Sequence, residues 1–144
     1  KDLKFAGANI YLHILRKSSA PAPSSVILHS SSDFSLYQIK CDKQSIGYVF
    51  DSSPFSTHSV QLMEGDSLYI FTDGYTDQFG GEEDLKFSTY QLKNLLLEIH
   101  QLPMEKQKEI LKQKLVSWMG ERNKQLDDIL VIGFKLGDKK LELS

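Results

Sequence analysis

Cysteine is nearly absent. Cys41 stands alone, so no disulfide can close within the chain, and a reducing compartment fits. Its neighbours Lys40 and Asp42 make no nucleophile motif, which reads as a packing or incidental thiol. A surplus of one charge is missing too: 17 Lys and Arg against 19 Asp and Glu leave a net charge of −2. That is no footprint for nucleic acid. No apolar run approaches membrane-spanning length, and no stretch has the pattern of a secretory signal peptide. Repeats and low-complexity segments are also lacking. What remains is an ordinary balance, 40% hydrophobic and 25% charged over 144 residues, which suits one compact domain with a core.

The strongest local pattern is Ser67-Leu68-Tyr69-Ile70-Phe71-Thr72-Asp73-Gly74-Tyr75-Thr76-Asp77. Leu68 and Ile70 fall on one face of a strand, Tyr69 and Phe71 on the other. Such a strand belongs inside a sheet, covered on both sides. It runs directly into Asp73. A carboxylate at the end of a buried strand is costly unless a cation meets it. Gly74 allows a sharp turn and a close approach. The alternative reading is an aspartate that caps the next element.

Before this stretch the chain predicts short strands. Leu3 to Ala6 and Ile10 to Leu15 are expected as a hairpin around Gly7-Ala8-Asn9. Arg16 to Ser25, with Pro21 and Pro23, reads as a loop. Strands are expected at Val26 to His29, at Phe34 to Ile39 and, as an edge pairing, at Tyr48 to Phe50. Ser30 to Asp33 and Asp51 to Pro54 read as turns. His58 to Met63 alternates with Val60 and Leu62 inward, and Glu64-Gly65-Asp66 reads as a tight hairpin turn. His13 lies in an apolar run, where packing is the commoner role.

After Asp77 the period changes. Gly80 to Asp84 reads as a flexible acidic loop. Ser88 with Gln91 forms a capping box, followed by Leu92, Leu95, Leu96 and Ile99 at helical spacing. Pro103 suits the first turn of a second helix, whose buried face is Ile110, Leu111, Leu115, Trp118 and Met119, with Gly120 as a stop. Ile129 to Phe134 then returns as an apolar, buried strand, preceded by Asp127 and Asp128. The segment from Gly137 to Ser144 is charged and reads as frayed or a weak edge strand.

If the strands ending in Asp73 and starting after Asp128 are antiparallel neighbours, the acids fall on the same edge of the sheet, with the two helices packed over one face. Carboxylates without histidine or cysteine favour Mg²⁺ or Mn²⁺ over Zn²⁺. Metals so held can bridge phosphate oxygens and make water nucleophilic. Taken alone, Asp127-Asp128 is more commonly a solvated turn.

Glu64-Gly65-Asp66 through Thr72-Asp73-Gly74 to Asp77 resembles the GD-to-TDG segment of bacterial PPM-type (PP2C-like) serine/threonine phosphatases of the SpoIIE/RsbU group. Asp127-Asp128-Ile129-Leu130-Val131-Ile132 resembles their closing acidic-pair strand. Phe5-Ala6-Gly7-Ala8-Asn9 resembles their AGH-like turn, with Asn9 where many members have histidine. Gln78-Phe79-Gly80-Gly81 fits a subgroup fused to membrane sensors or repeat domains.

The resemblance implies an α+β fold, a PP2C-like β-sandwich flanked by helices, of which residues 1–144 form the C-terminal portion of the phosphatase domain. It implies metal-dependent hydrolysis of phosphoserine or phosphothreonine in bacterial signalling, with Mn²⁺ or Mg²⁺ as cofactor. Asp73 and Asp127 become catalytic metal ligands, with Asp128, Gly74 and Asn9 in support. The implied partners are a phosphoprotein, such as an anti-sigma-factor antagonist, and an upstream sensor or regulatory domain. The implied location is the cytoplasm, including the cytoplasmic part of a membrane-anchored sensor. The family's N-terminal acidic-glycine motif has no counterpart in Lys1 to Asn9. The chain alone is therefore expected to bind metal weakly and to turn over poorly. Strands without partners are also expected to offer pairing between chains, as a homodimer or swapped assembly. The competing class is a non-catalytic PP2C-like binding or regulatory module.

Overall fold

A computed structural model describes residues 1–24, 26–31, 33–47 and 53–137. The strand expected at Tyr48 to Phe50 lies outside these residues, as do Ser32 in one expected turn, Asp51 and Ser52 in the other, and the charged segment beyond Gly137. The chain divides into two compact units, Lys1–Ile70 with the chain from Gly133 onward, and Phe71–Ile132.

The first unit is built from strands. β1 (Asp2–Phe5) pairs antiparallel with β5 (His58–Gln61), Leu3 opposite Val60 and Phe5 opposite His58. A second sheet has the order β3 (Val26–Ser30), β4 (Phe34–Ile39), β2 (Leu12–Lys17), β6 (Ser67–Phe71), β9 (Val131–Lys135). Leu12 and Ile14 of β2, Tyr37 and Ile39 of β4, Val60, Leu62 and Leu68 form one buried cluster, with Leu3, Phe5, Ile70 and Leu136 against it. Both sheets contribute to that cluster, so this unit is a two-layer sandwich. β2 is buried from Leu12 through Arg16, as a central strand covered on both faces must be. Each fully buried aliphatic side chain there stabilises by roughly 1.5–3 kcal/mol.

Two connections differ from expectation. β1 and β2 are not a hairpin: β1 pairs with β5, and β2 with β4 and β6. The small-residue turn instead carries the chain to a parallel bridge between Ala8 and Asp42. Gly7 is packed too tightly there for any side chain, since a Cβ would lie 2.3 Å from the Ile10 carbonyl oxygen. The Glu64-Gly65-Asp66 turn likewise forms, with Gly65 at φ 88°, but its flanking strands sit in different sheets. It is a sheet-to-sheet connection.

Arg16 and Lys17 extend β2 where a loop was expected. Arg16 is only 4% exposed and forms a two-pronged pair with buried Asp66, Nε to Oδ1 at 2.9 Å and Nη2 to Oδ2 at 2.6 Å. Its remaining donors reach the Pro21 carbonyl at 2.8 Å and the Gln61 carbonyl at 2.8 Å. Asp66 also accepts from the Met63 amide at 2.8 Å. With every charge answered, an arginine can lie inside a strand.

β9 also differs from expectation, because it is not buried. It is the last strand of its sheet, and Leu130, Ile132 and Phe134 are 50%, 50% and 45% exposed. An unbroken apolar run reads alike whether one face or both are covered. Strand β6 meets the expectation: Leu68 and Tyr69 are each 1% exposed on opposite faces.

The second unit is largely helical. After α1 (Asp73–Thr76) comes a small hairpin, β7 (Phe79–Gly80) with β8 (Leu85–Lys86), whose turn at residues 81–84 is most of the expected acidic loop. Then follow α2 (Thr89–Ile99) and α3 (Met104–Met119). The Ser88 hydroxyl accepts from the Gln91 amide at 3.3 Å, as the capping signature predicts. Leu92, Leu95, Leu96 and Ile99 are all buried. On α3, Leu111 is buried, and so is Gln107, whose amide donates to the carbonyls of His100 and Leu102. Pro103 is the N-cap of α3, and Gly120 ends it at φ 60°. An edge-to-face chain of rings, Tyr75 on Phe87 at 5.1 Å and Phe87 on Trp118 at 5.4 Å, joins α1, the hairpin exit and α3.

Candidate functional site

Thr72 adopts extended backbone and is the N-cap of α1, so Asp73 opens a helical turn. The Asp73 carbonyl accepts from the Asp77 amide at 2.8 Å and the Thr76 hydroxyl at 3.1 Å. Asp73 is exposed. The expected desolvation cost therefore does not arise, because the strand ends before the acid and the turn carries it into solvent. Behind it, Tyr75 is 2% exposed and donates its hydroxyl hydrogen to the Leu111 carbonyl at 2.8 Å. Burial pushes the Tyr75 phenol above its ordinary range, so it stays neutral and fixes the Asp73 turn to α3.

The second acidic segment lies against this turn. The Thr72 amide donates to the Leu130 carbonyl at 3.0 Å. The Thr72 hydroxyl donates to the Asp128 carbonyl at 2.9 Å and accepts from the Leu130 amide at 3.0 Å. Gly74 completes the contact: a Cβ there would lie 2.3 Å from the Asp128 carbonyl oxygen and 2.9 Å from its carbon. The predicted role of Gly74 as a position of close approach thus has a specific partner. The backbones carrying Asp73 and Asp128 touch, and Asp127 is the next residue.

Asp127 and Asp128 are both exposed. One oxygen of the Asp127 carboxylate accepts from the Asp128 amide at 2.7 Å, and the Asp127 carbonyl accepts from the Gln125 side chain at 2.9 Å. Asp127 is thus held in its own turn, as the solvated-turn alternative requires, while standing beside the Asp73 segment. Asp77 pairs with Lys86 at 3.0 Å, an exposed pair of little energetic weight. Asn9 lies in the other unit, at φ 58°, its amide donating to the Asp42 carbonyl at 2.9 Å.

Exposed carboxylates on adjoining backbone segments, without nitrogen or sulfur ligands, fit a hard divalent cation in kind. In number they fall short. Among the described residues no three histidine, cysteine or acidic side chains are grouped to hold a metal. A divalent cation of this kind takes about six oxygens, more than these carboxylates offer.

Two residues at the junction escaped the sequence reading. Thr72 bonds to backbone 56 and 58 residues away. Gln78 is 1% exposed, and its amide donates to the Lys124 carbonyl at 2.9 Å, 46 residues away. Nothing local signals such partners, since they are main-chain carbonyls and amides.

Comparisons with known proteins complete the picture. The family model for stage II sporulation protein E (SpoIIE) matches residues 5–137. No curated protein matches. Among solved structures, the SiaA-PP2C domain of Pseudomonas aeruginosa aligns at 26% identity with a TM-score of 0.72, over 94% of this chain and 46% of that one. The α+β architecture is that of a PP2C domain, and the chain spans about half the length of that relative.

Proposed function

The chain belongs to the stage II sporulation protein E family of PP2C-like domains, and on that premise we propose that it is part of a metal-dependent phosphoprotein phosphatase. The substrate class is phosphoserine or phosphothreonine on a protein. An anti-sigma-factor antagonist in a bacterial signalling system is the family pattern. In this reading Asp73 and Asp127 hold Mn²⁺ or Mg²⁺, Asp128 steadies its neighbour, and Gly74 lets the two backbones close. Asn9 is assigned to support. The cation would supply a water of lowered pKa and neutralise charge on the phosphoryl oxygens. The chain's own part is to present carboxylates in a fixed, solvent-facing array.

One observation carries the reading: Thr72 ties the Asp128–Leu130 backbone to the turn that opens with Asp73. The short ligand count implies that the isolated chain binds metal weakly and hydrolyses phosphoester slowly. Full activity belongs to the longer protein, with its sensor or regulatory domain, in the cytoplasm. Exposed β9, an edge among the described strands, is the proposed surface for self-pairing.

A second reading has its own support. Asp127 is engaged by the Asp128 amide, and no group of three ligands forms among the described residues. A non-catalytic module of the same fold would look alike. Asp73→Asn and Asp127→Asn in the full-length protein separate the two. Loss of Mn²⁺-dependent phosphate release from a phosphoserine protein supports the phosphatase, and unchanged release removes it.

A further inference from the structure

Asp127 lies on a loop held at both ends. At one end the Thr72 hydroxyl grips Asp128 and Leu130. At the other, the Gln78 side chain donates to the Lys124 carbonyl at 2.9 Å and to the Phe79 carbonyl at 3.2 Å. Two carbonyls within reach of one nitrogen require the –NH₂ end there, so the amide orientation follows from its partners. Thr72 and Gln78 bracket the turn that carries Asp73. Lys124 and Asp128 bracket Asp127. The two short segments are thus clamped together before and after their acids.

We infer that Gln78 is a positioning residue for the Asp73–Asp127 pair, acting through the Lys124 carbonyl. Its own backbone cannot wander. The Gln78 carbonyl accepts from the Trp118 indole at 3.1 Å and from the Phe87 amide at 2.9 Å. Gly81 and Trp118 are joined in turn, amide to carbonyl, at 2.8 Å. A side chain that is 1% exposed, on a backbone pinned to α3 and to the hairpin exit, transmits a rigid position to the loop. Without it the loop before Asp127 keeps the Thr72 end and, further back, the Asn123 side-chain bond to Asp84 at 3.0 Å, and the stretch next to Asp127 loses its nearer anchor. Partners that orient ligands in this way change metal affinity by about 10–100-fold when removed.

This inference rests on the assignment of Asp73 and Asp127 as ligands, so the experiment keeps the two apart. Mn²⁺ binding is measured by the loss of the free-ion electron paramagnetic resonance signal for the wild-type chain, Gln78→Met and Asp73→Asn. The inference predicts that Gln78→Met weakens Mn²⁺ about tenfold, with cooperative melting retained, and that its Asp128 and Leu130 amides exchange faster. Wild-type affinity and wild-type exchange in Gln78→Met, beside a weakened Asp73→Asn, would overturn the positioning role alone. Unchanged affinity in Asp73→Asn overturns the ligand assignment, and the positioning role with it. Should Gln78→Met fail to fold, the wild-type chain decides. The Gln78 side-chain amide resonances must shift on Mg²⁺ titration in step with the amides of Asp73 and Asp127. If they stay still while those move, Gln78 is only packing.

Discussion

Replacing Gly74 with alanine sets two effects of opposite sign against each other. Gly74 lies inside α1, and its φ is not positive, so alanine would gain about 0.5–1 kcal/mol from lower backbone entropy. Against this, the new Cβ would come 2.3 Å from the Asp128 oxygen, 2.9 Å from its carbon and 3.2 Å from Ile129 Cγ1. The nearest atoms are backbone and cannot rotate away, so the segments must separate by about 1 Å to restore contact. Overpacking of this kind costs about 1–3 kcal/mol. Separation also strains the three Thr72 hydrogen bonds, each worth about 0.5–1.5 kcal/mol. The balance is a loss of about 2–3 kcal/mol, which for a chain of this size lowers Tm by roughly 6–10 °C. Calorimetry of Gly74→Ala reads it directly, with amide exchange at Asp128 and Leu130 as the local report. A Tm equal to or above wild type would mean that helix propensity wins, and the close approach of these two segments would be refuted.

Other perturbations follow from the same contacts. Arg16→Met or Asp66→Leu alone leaves a buried group unanswered and should cost about 3–5 kcal/mol, whereas the double variant Arg16→Met with Asp66→Leu should lose much less than the sum; urea denaturation of the wild type and these three variants measures the coupling. Because burial holds the Tyr75 phenol above its ordinary range, its contribution is complete below the unfolded tyrosine value of about 10. That contribution is lost as pH rises through the higher folded value, so Tyr75→Phe should flatten part of the alkaline fall in stability. Ser88 sits at φ 74° with only a long cap bond, so Ser88→Gly should stay within about 0.5 kcal/mol of wild type or gain. Ser88→Ala keeps the strain, loses the cap and should cost about 1 kcal/mol in the same denaturation assay.

How far the fold was legible depends on how local its causes are. Strand β4 and helix α2 were readable because alternation, the Ser88 cap and the Leu92-Leu95-Leu96-Ile99 stripe are all written within a dozen residues. The acid pair was legible as a convergence because β6 ends where the Asp128 strand begins, and opposed directions bring those ends together. The hydrogen bonds from Leu136 to Asp66 and from Thr72 to Leu130 have that antiparallel sense. Strand pairing across long separations was not legible, so β1 looked like the partner of β2 when it is the partner of β5. Arg16 read as a loop because the charge of an arginine buried in β2 is answered by Asp66, fifty residues on. Strands as short as β7 and β8 carry no periodicity to read. Around the two candidate acids, Thr72 and Gln78 grip main-chain atoms, and such contacts leave no trace in composition or spacing.

The central claim is that Asp73 and Asp127 meet one divalent ion. Titrating Mn²⁺ into the ¹⁵N-labelled chain and following paramagnetic broadening tests it. Amides from Thr72 to Asp77 and from Asp127 to Leu130 should fade together, at metal concentrations marking weak binding, while those of β3 and β4 persist. Broadening of only one of the two segments, or of neither before the others, would contradict it.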